Sequence, residues 1–194
     1  MSSSTLLCQA PDSALVTIDV QERLAKAMPD PDLAALVQRT SLLLRAATVL
    51  EVPVLATQQY PKGLGDTLEQ ISTHLPAATH RLDKTAFSCC SAQGFTERLA
   101  QLGRSQVILT GMEAHVCVLQ TAVDLTHAGY AVFVVADAVC SRSHERTANA
   151  LARLRHAGVC VTHSESVLLE WLRDARHPQF RTISQLLKEE AATT

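Results

Sequence analysis

An α/β fold, a parallel sheet with helices on both faces, is predicted by three observations. Five short runs, Ala14 to Ile18, Val52 to Ala56, Val107 to Leu109, Tyr130 to Val135 and Val159 to Val161, are near-continuously apolar, as strands buried on both faces are. Between them apolar residues recur at helical spacing, as in Leu33, Leu36, Val37, Leu43, Leu44 and Leu50. The two patterns alternate β, α, β, α, an order that takes right-handed crossovers and gathers sites at the carboxyl ends of its strands.

Taken in order, the first strand ends at Asp19 and the second reaches Thr57. The least regular stretch, Gln58 to His80, holds Pro61, Gly63, Gly65 and Pro76 and suits a functional loop or lid. Gly63-Leu64-Gly65 is too short for a phosphate loop and reads as a turn. A short third strand is expected just before Lys84, in Arg81-Leu82-Asp83-Lys84. The next strand runs into Gly111, and Val118, Leu119, Ala122 and Leu125 form a helix closed by Gly129. Asp137 lies at the following strand end, and Ser143 reads as a helix N-cap. Thr162 with Glu165 has capping-box spacing. The apolar face Val167-Leu168-Leu169-Glu170-Trp171-Leu172 is a candidate interface, and His177-Pro178 places proline at the start of a last amphipathic helix carrying Phe180, Ile183, Leu186 and Leu187.

A length of 194 residues with 47% hydrophobic and 19% charged content fits one domain with a continuous core. The net charge of −2, with scattered Lys and Arg, gives no footprint for nucleic acid. The opening Met1 to Cys8 lacks the basic region and apolar run of a secretory signal, and no run has membrane-span length, so a soluble cytoplasmic protein is expected. Six cysteines without a CxxC, in a reducing compartment, predict free thiols. Vicinal Cys89-Cys90 is read as small residues opening a helix, because such pairs bridge only with strain.

The most informative segment is Ile108 to Val118, where an apolar strand passes through a glycine turn into a helix whose first turn carries Cys117. An isolated apolar cysteine usually packs. A helix N-terminus, however, offers unpaired N–H groups and a partial positive charge, which favour a thiolate and an adjacent oxyanion. Asp19 and Lys84 are its natural partners, since both fall at strand ends, although alone Asp19 reads as a turn residue and Lys84 as a surface lysine paired with Asp83.

Ala14-Leu15-Val16-Thr17-Ile18-Asp19-Val20-Gln21, Asp83-Lys84-Thr85-Ala86-Phe87-Ser88 and Thr110-Gly111-Met112-Glu113-Ala114-His115-Val116-Cys117-Val118 resemble, in order, the three signature blocks of the isochorismatase-like cysteine hydrolases. The resemblance spans roughly residues 12 to 185. Gln59-Tyr60-Pro61-Lys62-Gly63-Leu64-Gly65 and Ala136-Asp137-Ala138-Val139 are similar to the isochorismatase domain-containing branch. It implies a doubly wound Rossmann-like sheet and a catalytic triad of Asp19, Lys84 and Cys117. It also implies a cis peptide at Met112-Glu113 and an oxyanion hole drawn from Met112, Glu113, Val116 and Cys117. The expected reaction is cleavage of an amide, carbamoyl or similar C–N bond through a Cys117 thioester.

Nicotinamidases of this family carry an aspartate and histidines after the second strand, whereas Thr57-Gln58-Gln59-Tyr60-Pro61 has neither, so no metal and no organic cofactor are expected. Cys160 with His163 and Cys140 with His144 are read as accidental pairs. Isochorismatase itself typically lacks the nucleophilic cysteine, so Cys117 argues for covalent hydrolysis of a small molecule. Substrate-pocket candidates are Gln21, Gln59, Tyr60, Phe87, His115, Cys140 and Ser141, with His115 favoured at the rim. A homo-oligomer is expected. The rival reading keeps the fold as a scaffold subunit or thiol sensor.

Overall fold

The computed structural model describes residues 7–192, so residues 1–6 of the Met1 to Cys8 opening weighed as a targeting signal lie outside them. Six strands form one parallel sheet: β1 (Ser13–Ile18), β2 (Val54–Gln59), β3 (His80–Lys84), β4 (Gln106–Met112), β5 (Ala131–Cys140) and β6 (Cys160–Thr162), in the spatial order β3-β2-β1-β4-β5-β6. This is the doubly wound order. The direction of winding reverses between β1 and β4, and the crevice outside the carboxyl ends of those two strands is where such sheets place a site.

Helices α1 (Glu22–Ala25), α2 (Asp30–Val49), α3 (Pro61–Leu64), α4 (Glu69–Ser72), α5 (Phe95–Gln101), α6 (Leu119–His127), α7 (His144–His156), α8 (Ser164–Leu172) and α9 (Phe180–Ala191) complete the described elements, with short 3-10 turns at Ala10–Asp12 and Cys89–Ser91 and a π turn at Ala114–Val118. The central strands serve two cores by alternation. Leu15, Ile108, Phe133 and Val135 face one side, with Leu36 and Leu43 of α2, Trp171 of α8 and Ile183 of α9. Ala14, Val16, Val107, Leu109, Val132 and Val134 face the other, with Phe95 of α5, Ala122 of α6 and Leu154 of α7. Double-sided burial is why these strands read as unbroken apolar runs.

Several expectations are corrected. The segment Val167 to Leu172 is no free face: Val167, Leu168, Trp171 and Leu172 are buried in the first core, and only Leu169 is exposed. Thr162 does not cap α8. His163 holds the N-cap position without a side-chain bond, and Asp137 receives the Ser164 N–H at 2.9 Å and its hydroxyl at 2.6 Å. Asp137 lies inside β5, within a register shift against β4, and not at the strand's end. Pro178 precedes the last helix, whose N-cap is Gln179. The stretch from Gln58 is more regular than expected, since β2 continues to Gln59 and two helical turns follow. Ser143 caps α7 through the Arg146 N–H, and Gly129 follows α6 with φ +92°.

Gly111 shows how closely β1 and β4 meet. Its φ is +115°, and a Cβ added there would lie 2.0 Å from the Ile18 carbonyl oxygen. Only glycine fits, and the close approach sets Asp19 and the turn after β4 against one crevice.

Candidate active site

Asp19 follows the last residue of β1 with φ +52°, a left-handed turn that aspartate tolerates better than most residues. Its N–H is held by the Thr57 carbonyl at 3.1 Å, and its carboxylate is fully buried. Oδ1 accepts the Thr57 hydroxyl at 2.7 Å, while Oδ2 accepts Lys84 Nζ at 2.6 Å. Lys84, the last residue of β3, points inward to Asp19 and not outward to Asp83. Its ammonium also donates to Gln59 Oε1 at 2.7 Å and approaches the carbonyls of Phe87 at 3.0 Å and Ala86 at 3.2 Å. Burial works against that charge, but Asp19 and the nearby Cys117 hold Lys84 above the ordinary lysine range.

Cys117 lies in a π turn, Ala114–Val118, that opens directly into α6. The residue is 5% exposed, and its thiol lies within the influence of both the Asp19 carboxylate and the Lys84 ammonium. Burial and the Asp19 carboxylate push this thiol up to about 12, against the opposite pull of Lys84. The expectation of a thiolate favoured by the helix terminus is therefore corrected. A dipole worth about 1 kcal/mol is outweighed by desolvation, and the resting group is a neutral thiol under the influence of a buried carboxylate.

The turn before it is braced. The Met112–Glu113 peptide is cis. Glu113 accepts Arg142 through Nη2 at 2.5 Å and Nε at 2.9 Å, together with the Arg142 N–H at 3.1 Å. Burial raises the Glu113 carboxyl, but these hydrogen bonds prevail and hold it below the usual range. The Val116 N–H donates to the Glu113 carbonyl at 3.0 Å, so this member of the expected oxyanion hole already has an acceptor.

The pocket candidates separate. Tyr60 and Phe87 are exposed, at 55% and 54%, and Tyr60 lines a pocket of about 470 Å³ with Lys62, Asp83, Thr85 and Gln93 beside Lys84. A larger cavity of about 790 Å³, lined by Gln9, Leu50, Arg104 and Trp171, lies at the opposite ends of the strands and shares no residue with the triad. Gln21 is fully buried and braces Gln59, so it is not a pocket-lining group. Cys140 and Ser141 are also fully buried. Ser141 Oγ lies 2.9 Å from His115 Nδ1, and burial, with Arg146 and Arg142 and against Glu113, keeps the imidazole below its usual range.

Sequence reasoning gave no role to several neighbours. Thr57 bonds Asp19, and Cys89 Sγ lies 3.7 Å from the Thr57 hydroxyl. The Cys89 N–H donates to Thr121 Oγ1 at 2.9 Å, while Ser88 donates to Asp124 Oδ2 at 2.5 Å, tying the loop after β3 to α6. Thr57 had a signal, its place at a strand end. Arg142 had none. Among the described residues no three His, Cys, Asp or Glu side chains converge as a metal group.

The profile of the isochorismatase domain matches residues 13–166. The chain belongs to the isochorismatase family. It is 37% identical over 182 residues to isochorismatase domain-containing protein 2 of Rattus norvegicus, covering 92% of this chain and 83% of that one. Among solved structures it is similar to a protein described as the MAR1 ribonuclease of Caenorhabditis elegans, with TM-score 0.88, 37% identity and coverage of 94% and 92%. The Escherichia coli YcaC product, described as an octameric hydrolase of unknown specificity, shares the fold at TM-score 0.82 and 20% identity, with both chains covered at 100%. In this fold Asp19 follows β1, Lys84 ends β3 and Cys117 lies in the turn after β4.

Proposed function

We propose that this protein is a cysteine hydrolase that cleaves an amide, carbamoyl or similar C–N bond of a small molecule through a Cys117 thioester. What supports the reading is a buried cysteine, Cys117, whose thiol feels a buried Asp19 carboxylate that Lys84 holds at 2.6 Å. As sulfur attacks the carbonyl carbon, the thiol proton passes to Asp19 and the carbonyl π pair moves onto oxygen. Collapse expels the amine, which takes the proton from Asp19 and leaves the thioester. Asp19 then removes a proton from water, hydroxide adds to the thioester carbon, and sulfur leaves and regains the proton. Because its thiol stays protonated at rest, Cys117 needs this carboxylate at the moment of attack. Lys84 remains an ammonium throughout and stabilises Asp19 as an anion.

No metal or organic cofactor takes part in this reading. Assembly into a homo-oligomer belongs to it, in keeping with the octamer described for the Escherichia coli protein; sedimentation as a lone monomer at micromolar concentration contradicts that part. The ribonuclease name of the Caenorhabditis elegans neighbour sets a second arm for the test. A panel of primary amides and carbamoyl compounds, and separately RNA, is incubated with the wild type, Cys117→Ala and Asp19→Asn. Release of ammonia or amine, lost in both variants, supports the proposal. RNA cleavage that depends on Cys117, without C–N hydrolysis, replaces it. Hydrolysis that survives Cys117→Ala sinks it.

A further inference from the structure

We propose that Gln59, expected from sequence to touch substrate, is instead the positioning residue that holds the Lys84 ammonium against Asp19. This rests on the hydrolase reading above and names how its charge pair is kept in place. The Gln59 side-chain amide spans two fixed groups: Oε1 accepts Lys84 Nζ at 2.7 Å and Nε2 donates to the Thr85 carbonyl at 2.7 Å. The opposite amide orientation would put an N–H₂ against the ammonium and an oxygen against a carbonyl, so the network admits one assignment.

The backbone of Gln59 is itself clamped. Its N–H donates to Gln21 Oε1 at 2.7 Å, and Gln21 Nε2 donates to the Gln59 carbonyl at 3.0 Å and to the Gly65 carbonyl at 2.7 Å. Gln21 is fully buried. The chain of contact thus runs from the segment after β1, through the end of β2, to the lysine at the end of β3.

The three ammonium hydrogens face Asp19, Gln59 and the two loop carbonyls of Ala86 and Phe87. None remains to anchor a substrate anion, and the charge acts on Asp19 and on the thiols of Cys117 and Cys89. Neutrality of the Gln59 oxygen is the point: it directs Lys84 without competing with Asp19 for its charge. A carboxylate in that place would divide the ammonium between two anions and add negative charge beside the thiol, which raises the Cys117 pKa further.

The test compares Gln59→Ala, Gln59→Glu, Gln59→Asn and Lys84→Ala with the wild type in two ways. The first is the pH dependence of Cys117 alkylation by iodoacetamide, read by peptide mass spectrometry, which needs no substrate. The second is steady-state hydrolysis of p-nitrophenyl acetate. Gln59→Glu is expected to move the alkylation profile to higher pH and to lower kcat about ten-fold or more, with KM within about two-fold. Gln59→Ala moves both in the same direction by less, and Gln59→Asn restores neither, because its shorter chain cannot span both partners. A rise in KM at unchanged kcat makes Gln59 a substrate contact and overturns the proposal. So does an alkylation profile that shifts in Lys84→Ala but in no Gln59 variant, and that outcome leaves the hydrolase reading standing. A profile unmoved even by Lys84→Ala sinks both.

Discussion

Lys84 Nζ lies 2.6 Å from Asp19 Oδ2, and neither side chain is exposed to solvent. Two charges in such a place are tolerable only together, because each satisfies the other while Thr57 and Gln59 take up further hydrogen-bonding positions. Removing one partner strands the other. Asp19→Asn and Lys84→Met are each expected to cost about 3 to 5 kcal/mol of stability, and the double substitution less than their sum. Urea unfolding of the three variants measures this; additive losses would mean that the pair is not coupled.

Cys117 reactivity follows from its neighbours. With burial and Asp19 pushing its thiol up to about 12, alkylation stays slow at neutral pH and keeps rising above pH 9. Lys84→Ala removes a charge that favours the thiolate and shifts the profile upward. Asp19→Asn removes a charge that opposes it and shifts the profile downward. A plateau already reached by pH 8 in the wild type contradicts the geometry.

The same shift links to stability. The folded thiols of Cys89 and Cys117 stand at about 12 against an ordinary 9.0, with burial as the first cause in both. A group with a raised folded pKa contributes fully below its unfolded pKa and loses that contribution as pH rises through the folded one. Unfolding free energy should therefore fall between pH 9 and 12, and less steeply in Cys89→Ala, as denaturant titrations at several pH values would show.

Gly111→Ala is expected to be worse than most core substitutions. The new methyl meets the Ile18 carbonyl at 2.0 Å, in a backbone conformation that L residues rarely adopt. A loss of more than about 4 kcal/mol, or failure to fold, is the expected outcome, and a folded variant of near wild-type melting temperature would contradict the packing described.

Glu113→Gln tests the brace beneath the turn. It removes a charged partner from Arg142 at two side-chain contacts and one N–H. Because the Arg142 side chain is 52% exposed, solvent screens the pair, and a loss of only about 1 kcal/mol is expected at neutral pH. The Glu113 carboxyl is held below its ordinary 4.5, so the contribution is present above that pH and fades as pH falls further. A difference between wild type and variant that grows on acidification contradicts this sign.

Much of this was legible because it is local. Leu15, Ile108 and Phe133 alternate with neighbours buried on the opposite face, so the strands announced themselves as apolar runs. Asp19, Lys84 and Cys117 drew attention because Lys84 ends a strand and the other two follow one, in a fold that gathers such ends. What escaped depends on partners distant in sequence. Asp137 rather than Thr162 satisfies the start of α8, across 27 residues. The face of Val167 and Trp171 is covered by the chain's own core, which helical periodicity cannot tell from an interface. The Cys117 thiol is governed by burial and by Asp19, not by the helix start visible in its own segment. Gln21 and Gln59 hold each other over 38 residues, and no local pattern marks a glutamine as a clamp.

The most direct measurement is the intact and peptide mass of the protein after brief incubation with p-nitrophenyl acetate and rapid acid quench, in the wild type, Asp19→Asn and Cys117→Ala. Covalent catalysis by Cys117 leaves an acetyl group on the Cys117 peptide of the wild type, its build-up strongly slowed in Asp19→Asn, and none at that peptide in Cys117→Ala, whose hydrolysis is lost. Turnover undiminished in Cys117→Ala, or acetylation confined to other residues, would contradict covalent catalysis by this cysteine.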